Sequence, residues 1–110
     1  MSLSNAERAV VEIRKLREYC LNPAHPRGKH KARVFESALG LTRDDAEQLR
    51  SALHTAIREE NAERLFEDEH GTRYRVDFEM NVASSRAEIC SIWIVRSNET
   101  FPRLVTCYVC

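Results

Sequence analysis

The sequence predicts an α+β fold, with N-terminal helices packed on one face of a C-terminal antiparallel β-meander. Two observations carry this. Apolar residues recur every three or four positions from Ile13 to Ile57, the repeat of a helix with one buried face. From Thr72 onward the pattern changes to strict alternation, the repeat of a half-buried strand. The chain length of 110 residues adds a third constraint, because it accommodates one domain and one core, 1–110.

The elements follow in chain order. Ala6–Glu12 reads as a first strand or lead-in, and Ile13, Leu16 and Cys20 then trace a short amphipathic helix. Asn22-Pro23-Ala24-His25-Pro26-Arg27-Gly28 must turn, since two prolines remove amide donors and a glycine frees the backbone. Lys29–Leu39 forms the second helix, with Ala32, Phe35 and Leu39 inward and Gly40 as its stop. Thr42 with Asp45 makes a capping-box start for a third helix, whose buried stripe is Ala46, Leu49, Leu53, Ala56 and Ile57. After Asn61–Leu65 and the acidic turn from Glu67 to Gly71, three strands are predicted: Thr72–Met80, Glu88–Arg96 and Arg103–Cys110.

Seventeen basic and 17 acidic side chains cancel overall, yet they are unevenly placed. Residues 1–40 hold 8 basic and 4 acidic groups, whereas 41–70 hold 4 and 9. Arginine outnumbers lysine 14 to 3, and a guanidinium binds phosphate in a bidentate manner that an ammonium cannot. The basic set therefore fits an anionic partner, with a solvated mixed-charge surface as the alternative. No apolar run has the length of a membrane span and no signal-peptide layout opens the chain, so a cytoplasmic protein is expected. The four cysteines offer one close pair, Cys107 and Cys110, on opposite faces of a strand; reduced, mostly buried thiols are expected, with no metal site. No glycine-rich phosphate loop, His-Glu-x-x-His, nucleophile elbow or calcium loop is present, so no cofactor is expected.

Two clusters could carry chemistry. If Tyr74, Val76 and Phe78 face the helices, Arg73 and Arg75 project from the other side of the sheet, and strand pairing is expected to add Ser91, Trp93, Thr106 and Tyr108 there. Arginines, hydroxyls and aromatic rings on one face suit a phosphodiester with stacked bases. The alternative is a solvated face on which both arginines pair with Asp77, Glu79 or a neighbouring carboxylate. The second cluster is Gly28-Lys29-His30-Lys31 at the start of a helix, where unpaired amides favour phosphate and an imidazole titrates near neutrality. His25, His54 and His70 lack such company, and His54 on the third helix and His70 in the acidic turn read as structural or solvent-exposed.

Several segments together resemble the bacterial domain of unknown function 6883 over nearly the whole chain. They include Lys15-Leu16-Arg17-Glu18-Tyr19-Cys20-Leu21-Asn22-Pro23, His25-Pro26-x-Gly28-x-His30-Lys31-Ala32-Arg33-Val34-Phe35, Gly71-Thr72-Arg73-Tyr74, Ile92-Trp93-Ile94 and Pro102 to Tyr108. The resemblance implies a small stand-alone protein or a module of phage-related or polymorphic-toxin-like proteins. Its layout is similar to that of the barnase, EndoU, colicin and RelE class of metal-independent ribonucleases. In that class an early-helix His or Lys, a strand Arg and a last-strand hydroxyl serve the site, which implies His30 or Lys31, Arg73 and Thr106 here. Cys20 and Cys107 depart from the family pattern, which has an aliphatic residue or alanine there.

The expectation is thus a toxin-like endoribonuclease that activates a ribose 2′-hydroxyl against the adjacent phosphate. His30, Arg73 and Thr106 would be catalytic, and Lys29, Lys31, Arg75, Trp93 and Tyr108 would hold RNA. Its partners would be RNA and a small immunity or antitoxin-like protein, with no membrane. The alternative is a non-catalytic protein-binding module of a two-gene or phage-related system.

Overall fold

A computed structural model describes residues 3–110. Helices come first and a sheet last, as the change of period requires. α1 (Ile13–Lys15) runs directly into a π-helical turn, Leu16–Cys20; α2 spans Lys29–Leu39 and α3 spans Ala46–Glu59. Short 3-10 turns at Ala6–Arg8 and Arg43–Asp45 precede α1 and α3. Four strands follow, β1 (Ala62–Asp68), β2 (Gly71–Val82), β3 (Ser85–Arg96) and β4 (Pro102–Val109), each antiparallel to the next in the order β1-β2-β3-β4.

Local chemistry sets the helix ends. The Asp45 carboxylate accepts the Thr42 amide N–H at 2.8 Å, satisfying a donor ahead of α3. α2 stops at Gly40, which takes φ 70°, and the Gly40 and Leu41 amides return to the carbonyls of Glu36 and Phe35. Ahead of α2, Gly28 lies so close to the Tyr19 carbonyl that any side chain would collide with it. That contact joins the π-helical turn to the second helix.

The buried stripes meet in one core. Leu16, Cys20, Phe35, Leu49, Leu53 and Ile57 from the helices pack on Val76, Ile89, Trp93, Leu104 and Cys107 from the sheet. Of the two readings of Ala6–Glu12, a first strand or a lead-in, the lead-in holds: it contributes a 3-10 turn and a single parallel bridge, Val10 to Arg103, which extends the sheet beyond β4. One expectation is corrected. The stretch read as a connection, Asn61–Leu65 with the turn after it, instead contains β1, paired with β2 and almost wholly exposed. Its adjacent Leu65 and Phe66 break the alternation that would reveal a strand, and a bulge between Arg64 and Phe66 accommodates the extra residue.

Among the described residues, no helix is long and apolar enough to cross a membrane.

Candidate functional site at the outer edge of the sheet

Register decides which side chains share a face, because directly paired residues point the same way. Val76 pairs with Ser91 and Tyr74 with Trp93, so Ser91 and Trp93 face the helices and are fully buried. The expectation that they join the open face is overturned. Trp93 is a core residue: its indole N–H donates to the Ser91 hydroxyl at 2.9 Å, and Ser91 donates to the Val76 carbonyl at 2.6 Å.

The other expected residues do lie on the open side. Arg75 pairs with Ile92 and Ile92 with Thr106, while Asp77 pairs with Cys90 and Cys90 with Tyr108. Arg75 and Thr106 are therefore two strand spacings apart in one row, about 10 Å. Arg73 lies in the next row, where its guanidinium bonds Asp68 at 3.0 Å and covers the Phe66 ring, 4.9 Å from the centroid. Both arginines carry the carboxylate pairing weighed as the alternative, Arg75 with Asp77 at 2.8 Å and Arg73 with an Asp68 that belongs to β1. The Asp77 hydrogen bond and charge raise the Arg75 pKa, and Tyr108 adds a smaller push in the same direction. Tyr108 therefore shares the electrostatic environment of Arg75.

At the β4 edge the helical layer reaches this face. The Lys31 ammonium, from the first turn of α2, donates to the Thr106 hydroxyl at 3.1 Å. It also lies 5.3 Å from the ring centroids of both Tyr19 and Tyr108, so two aromatic faces hold one cation. Thr106 and Cys107 both act on the buried Cys20 thiol. The Cys107 hydrogen bond lowers the Cys20 pKa most, against the cost of burial, and Lys31 helps; Cys107, as donor and buried, moves upward.

Lys29 and His30 occupy the same first turn of α2; Lys29 is partly buried and His30 is exposed. His25, which the sequence reading set aside, organises the turn ahead of them. Its Nδ1 accepts the amide N–H groups of Arg27 and Gly28, each at 3.0 Å, and its ring meets Tyr19 edge-on at 4.7 Å. Tyr19 and His25 are the residues missed, and the only signal was a polar ring inside a Pro- and Gly-rich turn. Residues 23, 26 and 28 alone explained that turn.

The expected reduced state holds for Cys20 and Cys107 and fails for the other two cysteines, since Cys90 and Cys110 form a disulfide. The opposed directions of Cys107 and Cys110 are as expected: Cys107 is in the core and Cys110 is exposed on the far side. The residues with metal-ligand chemistry that gather here are Asp77, Cys90 and Cys110, whose ligand atoms lie within 4.8 Å of one another. Two of the three sulfur and oxygen donors are tied up in the disulfide, and the third carries the Arg75 ion pair.

The domain of unknown function DUF6883 matches residues 2–110. The chain belongs to this family. No curated protein and no solved structure matches it.

Proposed function

We propose that this protein is a toxin-like, metal-independent ribonuclease whose site centres on Lys31 and Thr106. The observation that carries the reading is the meeting of Lys31 with Thr106 and Tyr108, with the exposed His30 next to Lys31 in the chain. His30 and Lys31 on α2 are distant in sequence from Thr106 and Tyr108 on β4, and together the two pairs offer a cation, a hydroxyl, an aromatic face and an imidazole. RNA requires those groups: charge for the phosphate, a proton carrier for the 2′-hydroxyl and rings for an unstacked base.

In this mechanism His30 takes the 2′-hydroxyl proton as that oxygen attacks phosphorus, and the bond to the 5′-oxygen breaks as that oxygen takes a proton from water. Lys31 and Arg75 stabilise the charge on the phosphoryl oxygens. Thr106 orients the Lys31 ammonium, and Tyr108 stacks a base in the role first expected of Trp93. Arg73 and Lys29 hold flanking phosphates. The products are a 2′,3′-cyclic phosphate and a 5′-hydroxyl, and the cytoplasm is the compartment that supplies the substrate.

The test is incubation of the purified protein with total RNA and a defined tRNA in EDTA, beside His30→Ala, Lys31→Met and Thr106→Val. Discrete cutting with cyclic-phosphate ends, reduced by each variant, is the expected result. Cutting that survives all three substitutions together overturns the assignment.

One observation favours the second reading, a non-catalytic protein-binding module. β1 is an edge strand with Leu65 and Phe66 39% and 49% exposed, a template for strand addition by an immunity-like partner. An RNA-inert, well-folded protein that forms a stable complex through β1 would establish that reading instead.

A further inference from the structure

The Cys90–Cys110 disulfide is asymmetric in its surroundings. Cys90 is 1% exposed in the middle of β3, while Cys110 lies at the surface, its amide bonded to the Glu88 carbonyl at 2.9 Å. A guanidinium touches the buried sulfur: Arg75 Nη2 is 2.9 Å from Cys90 Sγ, and its Nε is 2.8 Å from Asp77 Oδ1. A neutral disulfide sulfur is a poor acceptor and gains little from such a donor, whereas a thiolate gains a charge-assisted hydrogen bond. The guanidinium is therefore matched to the reduced form of Cys90. It also argues against a cation held by Asp77 and the two sulfurs, because a positive group already bonds Asp77 and Cys90.

We propose that Cys90 and Cys110 form a thiol–disulfide exchange site for a dithiol reductant, in which Cys110 receives the incoming sulfur and Cys90 departs onto Arg75. The dithiol's thiolate attacks Cys110 Sγ, the bond to Cys90 breaks, and its electron pair goes to Cys90 Sγ. The second sulfur of the dithiol, deprotonated to water, then attacks the first and closes a cyclic disulfide. Cys110 leaves as a thiolate and takes a proton from water. The dithiol loses two electrons and the protein gains them.

The charged and titratable groups facing Cys90 predict opposite effects. Arg75 favours the thiolate, while Asp77 opposes it and is held in check by Arg75; Glu63, Arg75's register partner on β1, Glu60 beside it, and Tyr108, paired with Cys90 on β4, are the further groups on this side. A leaving thiol of lower pKa departs faster, so losing the guanidinium slows reduction and losing the carboxylate speeds it.

The experiment follows reduction of the folded, full-length protein by dithiothreitol at constant pH and salt, quenching with an alkylating agent and counting modified cysteines by mass. Arg75→Gln is expected to slow reduction roughly three- to tenfold, Arg75→Lys to stay within about twofold of the unmodified chain, and Asp77→Asn to accelerate it. Glutathione under the same conditions is expected to give a mixed disulfide on Cys110. An Arg75→Gln rate equal to or above that of the unmodified chain, a mixed disulfide on Cys90, or no reduction while the protein stays folded overturns the proposal. Should Arg75→Gln fail to fold, the Asp77→Asn rate and the site of the mixed disulfide decide it. These readouts count thiols and not cut RNA, so this proposal and the ribonuclease reading fail separately.

Discussion

Trp93 donates its indole N–H to the Ser91 hydroxyl across 2.9 Å, inside a core where both residues are fully buried. Two side chains on one strand, two residues apart, thereby satisfy each other where water cannot. Ser91→Ala leaves that N–H without its acceptor and is expected to cost about 1–3 kcal/mol in urea unfolding. Trp93→Ala opens a cavity as well and should cost about 3–5 kcal/mol. Trp93→Phe, which removes the donor and much less volume, should lie between the unmodified chain and Trp93→Ala.

Gly28 and Gly40 make a matched pair of tests. A methyl group at Gly28 would run into the Tyr19 carbonyl, while one at Gly40 meets no atom within 4 Å and faces only the strain of φ 70°. Gly28→Ala is expected to lower stability by about 2–4 kcal/mol, near the upper end for single substitutions. Gly40→Ala should cost about 1 kcal/mol. Thermal or urea melts of the two variants check the order.

Lys31 and Thr106 should behave as one unit. Lys31→Met and Thr106→Val each break the 3.1 Å hydrogen bond, so the double variant should lose less stability than the two singles added together. The expected coupling is about 0.5–1.5 kcal/mol from a double-mutant cycle. For RNA cleavage, Lys31→Met alone should reduce the rate by roughly a hundredfold, and Thr106→Val by less.

His54 sets a pH dependence. Burial lowers its pKa first, and the charges of Arg50 and Arg58 lower it further. The unfolded chain therefore takes up the proton at higher pH than the folded one. Stability is fully present above the ordinary histidine value of about 6.5 and is lost as pH falls through the lowered folded value. Asp68 and Glu99 are also lowered, Asp68 chiefly by the His70 amide and Glu99 by Arg103, and they act only in the more acidic carboxylate range. His54→Gln should flatten the melting-temperature slope just below neutrality and leave the acid-range slope unchanged. Added salt should shrink the arginine share of the effect.

The helices were readable because each presents its apolar face in a single period. α2 begins at Lys29 and ends at Leu39 as the Gly28 and Gly40 boundaries imply, and Ala46 to Ile57 forms the buried stripe of α3. β1 was hidden because an edge strand exposed on both faces and interrupted by a bulge has no alternation to preserve. Trp93 was misplaced for a related reason: alternation gives two faces for each strand but not which face matches the next strand's, and that depends on pairing.

The sequence by itself determined the α+β class, the order of helices before strands, the turn at Pro23 to Gly28 and the sides of β2. These depend on interactions between residues a few positions apart, whose spacing the chain carries directly. Only the tertiary structure decided that Lys31 meets Thr106, that Trp93 is core, and that Cys90 pairs with Cys110 beside Arg75. Each of those joins separate strands or layers through the register of β2, β3 and β4, and a one-residue slip in register would exchange every inward side chain for its outward neighbour.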